Sequence, residues 1–282
     1  MELAKSEAIA TKMVWISETG STNSDLITAA VTGGAANWPN FSVYVTGYQN
    51  AGRGRSGRQW IAPPGSSLFV SVLLRPEASI ETFAWLPLLA GLAMSRAVSS
   101  RLNDGSNAVA SAAASQVGVK WPNDVLVGEQ KICGVLSELL PDGSGVVVGA
   151  GLNLTLSREQ LPIETATSLA LLGDPAAQER IGAAIDAQTL DDILARYLTQ
   201  LWQLLEAFNA FDGNAALAGL QAEVSQSCLT LGQEVKVILP GDEELWGSAQ
   251  AIDEQGRLVL TTLDNQKIAV AAGDIVHLRH RI

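Results

Sequence analysis

The sequence predicts an α+β protein: a mixed sheet with packed helices through about residue 226, then a small β-barrel of SH3-like type over residues 227–282. Three observations carry this. Apolar, strand-like runs at Val43–Thr46, Ser67–Leu74 and Val146–Leu154 alternate with helical stretches. A stripe from Leu190 to Phe208 repeats apolar residues at three- and four-residue steps, the period of a helix with one buried face. Beyond Leu231 the runs shorten and alternate, separated by turns at Pro240-Gly241-Asp242, Asp253–Gly256 and Asp264-Asn265. A chain of 282 residues suggests two domains, and we divide it at 226/227, where this character changes.

In chain order, the N-terminus MELAKSEAIATKMVW has mixed charge and no apolar core of a signal peptide. Ser17–Asp25 (SETGSTNSD) precedes a helical pattern at Leu26, Ile27, Ala30 and Val31 that stops at Gly33-Gly34. Thr22 or Ser21 suits the N-cap; the same short polar side chains at a helix start can instead hold a polar ligand edge. Thr82–Leu102 reads as an apolar-rich helix, with Pro87 in its first turn or kinking it. Asn103–Gly118 is biased toward Ala, Ser and Asn, and is expected to be a surface loop or tolerated insertion. Val119–Leu139 reads as a hairpin about Gly128-Glu129-Gln130. Thr189 is expected to cap the long helix, with Asp191 and Asp192 in its first turn where the helix dipole favours them. Five terminal strands are expected at Glu234–Leu239, Glu244–Ile252, Arg257–Leu263, Lys267–Val270 and Val276–Arg279.

Charge and composition exclude several functions. A net charge of −11 disfavours a general nucleic-acid binder, whose footprint should be basic. The two histidines, His277 and His280, both fall in the last six residues, so no Ser-His-Asp or Cys-His arrangement fits the main body. Their H-x-x-H spacing has no nearby Cys or His to complete a metal site. Cys133 and Cys228 lie far apart in apolar surroundings and read as buried free thiols in a reducing cytoplasm. No uninterrupted apolar run approaches the ~18–20 residues of a spanning helix, so no membrane association is expected.

Two stretches carry chemistry. Gly47–Trp60 (GYQNAGRGRSGRQW) alternates Gly52, Gly54 and Gly57 with Arg53, Arg55 and Arg58. Glycine lets the backbone approach a ligand closely, and arginine offers a permanent, forked donor to a phosphate or carboxylate. On an acidic chain this local charge suits a small anion better than a polyanion. Its own residues also allow a solvated basic loop or an Arg-Gly RNA-binding segment. In Val119–Leu139, Lys120 and Lys131 stand near the two ends of the hairpin, with Asn123 and Asp124 after a proline. Asp124, between apolar runs, needs a partner or a cation, or caps its own turn. Asn153 ends an apolar strand, where side chains often enter a cleft.

Taken together, Ser21-Thr22-Asn23, Q-x-A-G-R-G-R-x-G-R-x-W (Gln49–Trp60), K-W-P-N-D (Lys120–Asp124), K-x-x-G (Lys131–Gly134) and G-x-G-L-N (Gly149–Asn153) resemble the biotin protein ligase family, over nearly the whole chain. The resemblance implies a class II aminoacyl-tRNA-synthetase/biotin-synthetase-like sheet and a two-step reaction: biotin and ATP give biotinyl-5′-AMP and pyrophosphate, and biotin then passes to a lysine of a biotin carboxyl carrier domain of an acyl-CoA or pyruvate carboxylase. It implies that Ser21, Thr22, Asn23 and Gln49 line the biotin head group. Arg53, Gly54 and Arg55 would wrap its carboxylate and the adenylate phosphate, and Trp60 would pack against the closed loop beside the nucleotide. Lys131 would meet the carboxylate–phosphate junction, with Arg55 and Lys120 as further catalytic candidates. Lys120, Asn123 and Asn153 would border the nucleotide, with Asp124 the carboxylate nearest Mg²⁺. The pattern begins by about Trp15, which implies a short form without the DNA-binding domain that many members carry, and hence no DNA partner. Some members have an arginine where this chain has Ser56. The rivals are a lipoate ligase-like acyltransferase, expected to lack the arginine–glycine loop, and a non-catalytic biotin or biotinyl-adenylate sensor, disfavoured by intact Lys120, Asp124 and Lys131.

Overall fold

A computed structural model describes residues 1–104, 108–241 and 243–278. Arg279 and His280, the ends of the expected last strand and of the H-x-x-H motif, lie outside the described residues, as do residues 105–107 of the Ala/Ser-rich segment. The elements are α1 (Ala4–Glu7), β1 (Lys12–Trp15), α2 (Thr22–Asn37), β2 (Ser42–Thr46), β3 (Ser67–Leu74), α3 (Leu86–Asn103), α4 (Ala108–Ala114), β4 (Val117–Lys120), β5 (Asp124–Val127), β6 (Gln130–Leu139), β7 (Val146–Asn153), α5 (Pro175–Gln178), α6 (Ala187–Asn209), α7 (Leu220–Ser227), β8 (Glu234–Ile238), β9 (Glu244–Ile252), β10 (Leu258–Thr262), β11 (Lys267–Val270) and β12 (Asp274–His277).

Among the described residues the first sheet has seven strands in the order β1-β2-β3-β7-β6-β5-β4. β1 and β2 pair in parallel and the other neighbours are antiparallel, so the sheet is mixed. Its strands alternate by face, as the two-residue period of a strand requires. Val70, Val72, Val148, Ala150 and Leu152 join one large core with α3 and α6. Leu73 and Val147, on the other face, pack under Leu26 and Ala30 of α2. α2 is short compared with the sheet, and the part of this face it leaves uncovered is where the polar and glycine residues collect. The second sheet is antiparallel, in the order β11-β10-β9-β8-β12, with strand positions close to those expected. Its Val235, Val237, Leu258 and Leu260 belong to the same buried core. Trp85 Nε1 donates to Glu254 O at 2.9 Å and Trp121 Nε1 to Gly256 O at 3.0 Å, so indoles from the first sheet's side hold the β9–β10 turn.

Four local expectations need correction. Ser21 occupies the N-cap of α2 in extended backbone but makes no side-chain cap, and Thr22 turns to Gln49 instead. The helix does break where glycine was expected to end it, at Gly34 (φ 69°), and one further turn then reaches Asn37. Within Asn103–Gly118, the described residues 108–114 form a helix rather than a surface loop: α4 buries Ala110, Ala113 and Ala114 against the core, because alanine is the residue most at ease in a helix and small enough to pack closely. Asp186, not Thr189, caps α6, its carboxylate accepting from Thr189 N at 2.9 Å. Asp191 then lies beyond the first turn and serves tertiary structure: it accepts from Lys5 N and Ser6 N, each at 3.0 Å, and from Ser6 Oγ at 2.6 Å, while Asp192 pairs with Lys5.

Pro87 sits in the first turn of α3, where its missing N–H costs nothing. Together with the 3₁₀ turn Ile80–Trp85 before it, this helix spans 24 residues, long and apolar enough to cross a membrane by length and composition. Its apolar residues are instead spent on the core: 67% of the most apolar window is buried.

Candidate active site

Two adjoining spaces open on the uncovered face of the first sheet, and Trp60 and Gly134 line both. The smaller, about 30 Å³, is bounded by Ser21, Thr22, Asn23, Gln49 and Arg53 over the strand residues Phe69, Gly149 and Gly151. The larger, about 330 Å³, holds Arg55, Arg58, Lys120, Asn123, Asp124 and Lys131, with Asn153 at its edge. The expected site residues therefore gather in one place, sorted into a neutral pocket and a charged cleft.

The neutral pocket is a closed hydrogen-bond network. Gln49 Oε1 accepts from Thr22 N at 2.8 Å and Thr22 Oγ1 at 3.1 Å. Ser71 Oγ lies 2.7 Å from Thr22 Oγ1 and 2.6 Å from Asn23 Oδ1. Asn23 Nδ2 donates to Leu136 O at 3.0 Å and Glu138 Oε2 at 2.8 Å. Arg53 comes from the loop to the same carboxylate, its NH2 2.6 Å from Glu138 Oε2. Thr22, Asn23 and Gln49 are all buried, so these bonds fix their orientation in a region of low dielectric. Gln49 is held through Oε1, and Asn23 is held at both ends, Nδ2 donating to Leu136 O and Glu138 Oε2 while Oδ1 accepts from Ser71 Oγ.

The floor is glycine for a steric reason. A Cβ on Gly149 would run into Asn23 Oδ1, and one on Gly151 would stand 3.1 Å from the Trp60 indole. Gly134 faces the same ring from β6, paired with Gly151. Gly134 and Gly151 thus leave a flat bed for the Trp60 indole, and Gly149 leaves room for the Asn23 amide.

The charged cleft holds cations in provisional pairs. Lys131 Nζ is 2.7 Å from Asp124 Oδ1 and 5.3 Å from the Trp60 ring centroid, a cation–π distance. The backbone at Lys131 is clamped by the segment after β7: Lys131 N donates to Thr165 O at 2.7 Å, and Thr167 N to Lys131 O at 2.8 Å. Arg55 NH1 donates to Asn123 Oδ1 at 2.9 Å, and its NH2 to Gly273 O at 3.2 Å. Arg58 NH2 lies 2.8 Å from Asp274 Oδ1. The loop therefore bridges the two sheets. Burial lowers the pKa of Lys120, with Asp124 opposing and Lys131 adding to the shift, and burial likewise lowers that of Arg55. Asn153 Nδ2 donates to Thr167 O at 2.9 Å.

Cys133, beside Lys131 and Gly134, is buried and its thiol pushed up to about 12 by burial, so it offers no nucleophile. His277 lies with Nε2 3.3 Å from Thr230 Oγ1, its pKa lowered by burial and then by Lys120. Among the described residues no three His, Cys, Asp or Glu side chains gather as a metal site.

Sequence reasoning missed Ser71, Glu138, Gly273 and Asp274, and gave no role to the three glycines. Glu138 carried a signal, a carboxylate toward the far end of the strand that bears Lys131. Asp274 carried none, because it meets Arg58 across a separation of 216 residues.

Comparison with known proteins agrees with this geometry. The Biotin/lipoate A/B protein ligase family matches residues 21–153, and the Biotin protein ligase C terminal domain matches residues 230–278. The biotin–[acetyl-CoA-carboxylase] ligase of Mycobacterium tuberculosis is 34% identical over 266 residues, covering 94% of this chain and 88% of that relative. The bifunctional ligase/repressor BirA of Escherichia coli is 30% identical over 216 residues, which are 76% of this chain and 59% of that longer protein. The solved biotin protein ligase of Aquifex aeolicus, in complex with biotin and ATP, is 25% identical with a TM-score of 0.71, covering 95% of this chain and all of that one. On its fold, its motifs and these relatives, the chain belongs to the biotin protein ligase family.

Proposed function

We propose that this chain activates biotin with ATP and transfers it to a lysine of a biotin carboxyl carrier domain, that of an acyl-CoA or pyruvate carboxylase. The observation that carries the reading is the neutral pocket opening onto the cationic cleft, with Trp60 and Gly134 common to both. A ring-shaped, uncharged head and an anionic tail are what such a pair of spaces accommodates. The ureido ring lies in the neutral pocket beside Trp60, its carbonyl and N–H groups meeting Gln49, Asn23, Thr22 and Ser21. Its carboxylate reaches Lys131.

A carboxylate oxygen of biotin attacks the α-phosphorus of ATP; the bond to the β-phosphate oxygen breaks, and pyrophosphate leaves with the electron pair. The product is a mixed anhydride. Lys131 and Arg55, fixed beside the junction, stabilise the charge that accumulates on the phosphoryl oxygens, and Lys120, Asn123 and Asn153 seat the nucleotide. A neutral lysine amine of the carrier then attacks the anhydride carbonyl carbon, the amide forms, its extra proton passes to solvent, and AMP departs. No enzyme nucleophile is needed, which suits a site whose cysteine is buried with a raised pKa.

Mg²⁺ enters with the nucleotide in this reading. Of the two carboxylates lining the cleft, Asp124 is paired with Lys131 and Asp274 with Arg58, so Asp124 is the one beside the reacting junction. One such ligand suits an ion that keeps its remaining coordination from triphosphate oxygens and water. When bound, the ion neutralises phosphate charge and polarises the reacting phosphorus. The loop 47–60 is proposed to order fully on biotin or its adenylate and to keep water from the anhydride; equal protease sensitivity with and without biotin would count against that. We keep the division of the chain at 226/227 and a cytoplasmic location as parts of the same proposal.

The test is transfer of biotin to a purified carrier domain with MgATP by the wild type, Lys131→Ala and Arg55→Ala. Transfer by wild type and its loss in both variants supports reaction and sites. Transfer surviving in both keeps the ligase and sinks the site assignment. Tight biotin binding without transfer leaves a sensor.

A further inference from the structure

We infer that Glu138 is a positioning residue for this reaction: its single carboxylate sets the polarity of the biotin pocket and latches the arginine loop over it. The inference rests on the ligase reading above. Glu138 lies on β6, on the face that carries Leu136 and Gly134, two and four positions before it, and its side chain is 25% exposed. One oxygen, Oε2, receives both Asn23 Nδ2 at 2.8 Å and Arg53 NH2 at 2.6 Å.

The first bond fixes which way the Asn23 amide points. A carboxylate only accepts hydrogen bonds, as does the carbonyl of Leu136, so both neighbours of the Asn23 nitrogen demand a donor. Asn23 Oδ1 is thereby turned toward Ser71, and Gly149 lies directly beneath that oxygen. A flipped amide would set two acceptors against an oxygen and present N–H groups to a ligand whose own ring nitrogens carry hydrogen. The second bond fixes the loop. Arg53 is the arginine that lines the neutral pocket, whereas Arg55 and Arg58 line the cleft and reach toward the second sheet. Glu138 is therefore the attachment of the loop's arginine side chains on the biotin side, beyond the bonds that Gln49, Asn50 and Ala51 make at the start of the loop. Because both bonds end on one oxygen, ordering the loop and orienting the head-group amide are a single event, and charge-assisted bonds of this kind are the stronger ones.

The test is biotin binding measured without ATP by calorimetry, with steady-state transfer alongside, for wild type, Glu138→Gln, Glu138→Asp, Arg53→Gln and the double variant Arg53→Gln/Glu138→Gln. The expected result is a roughly tenfold or greater weakening of biotin by Glu138→Gln, seen as a raised Kd and biotin KM, with the ATP KM within about twofold of wild type. Glu138→Asp, which keeps the charge on a shorter stem, recovers part of the loss. In the Arg53→Gln background the same change costs much less than in the wild type, because the two groups act through one contact. Unchanged biotin affinity in Glu138→Gln, equal losses of biotin and ATP affinity, or full additivity with Arg53→Gln would each overturn the inference. Should Glu138→Gln fail to fold, Glu138→Asp carries the same comparison. A wild type that binds no biotin overturns the ligase reading as well, whereas binding by wild type with unchanged variants overturns this inference alone.

Discussion

The neutral pocket and the charged cleft share a wall yet are built on opposite principles. In the pocket, Thr22, Asn23, Gln49 and Ser71 hold one another in fixed orientations, and the dipoles left over are what a ligand finds. In the cleft, Lys131, Arg55 and Arg58 rest on Asp124, Asn123 and Asp274, partners that an incoming phosphate can replace. On the proposed function, shape and hydrogen-bond polarity select the ligand in the first, and exchangeable charge serves the chemistry in the second. Mutations should therefore separate binding from rate according to which side of Trp60 they touch.

The largest expected effect is Lys131→Ala. Removing a fixed donor to a developing oxyanion costs about a hundred- to a thousandfold in turnover, and the loss should fall on kcat for adenylate formation, read by pyrophosphate release. Biotin affinity should fall far less. A variant in which kcat is unchanged and only the biotin KM rises would break the division, placing Lys131 with the pocket.

Next is the floor. In Gly149→Ala the new methyl meets Asn23 Oδ1, and the asparagine must leave its place between Ser71 and Glu138. Losing the oriented asparagine removes a ligand hydrogen bond worth about 0.5–1.5 kcal/mol, roughly two- to twelvefold in biotin Kd by calorimetry. The ATP KM should hold. Equal loss of both would mean the two spaces are one.

The cleft has a pH signature that the pocket lacks. Burial lowers the pKa of Lys120, so its positive charge, present below that pKa, is lost at a lower pH than that of an ordinary lysine. The ATP KM should rise, by about tenfold or less, as pH increases through that lowered value, while the biotin Kd follows a different course. Lys120→Arg should move the rise to higher pH, because guanidinium keeps its proton. An ATP profile that is flat to strongly alkaline pH in the wild type would remove Lys120 from the nucleotide site.

What the sequence disclosed, and what it hid, follows the same divide. Charge on a glycine-rich loop or at the ends of apolar strands is conspicuous locally, so Arg53 and Arg55, and Lys120 and Lys131, were legible, as were strands such as β3, whose eight residues are all buried. Mutual satisfaction is not local. Thr22 looks like a helix cap until Gln49, 27 residues away, is placed beside it. Ser71 read as an ordinary strand residue and Asp274 fell between two expected strands, because their partners come from other elements. The Ala/Ser-rich segment was misread since composition reports polarity, whereas α4 is kept by the small size of Ala110, Ala113 and Ala114 against the core.

The smallest expected effect is a control that should leave both spaces untouched. Asp186 caps α6, accepting from Thr189 N and Thr189 Oγ1, each at 2.9 Å, and the backbone bond lowers its pKa. Loss of a cap costs about 1 kcal/mol, so Asp186→Ala should lower the denaturant midpoint at neutral pH without moving the biotin or ATP KM. Because the folded pKa is depressed, the stabilisation is fully present above the ordinary aspartate range and fades as pH falls through the folded value. The gap between wild type and Asp186→Ala should therefore narrow in acid. Thr189→Ala removes only the hydroxyl and leaves the capped N–H, so its cost should be the smaller of the two; the reverse order would return the cap to Thr189.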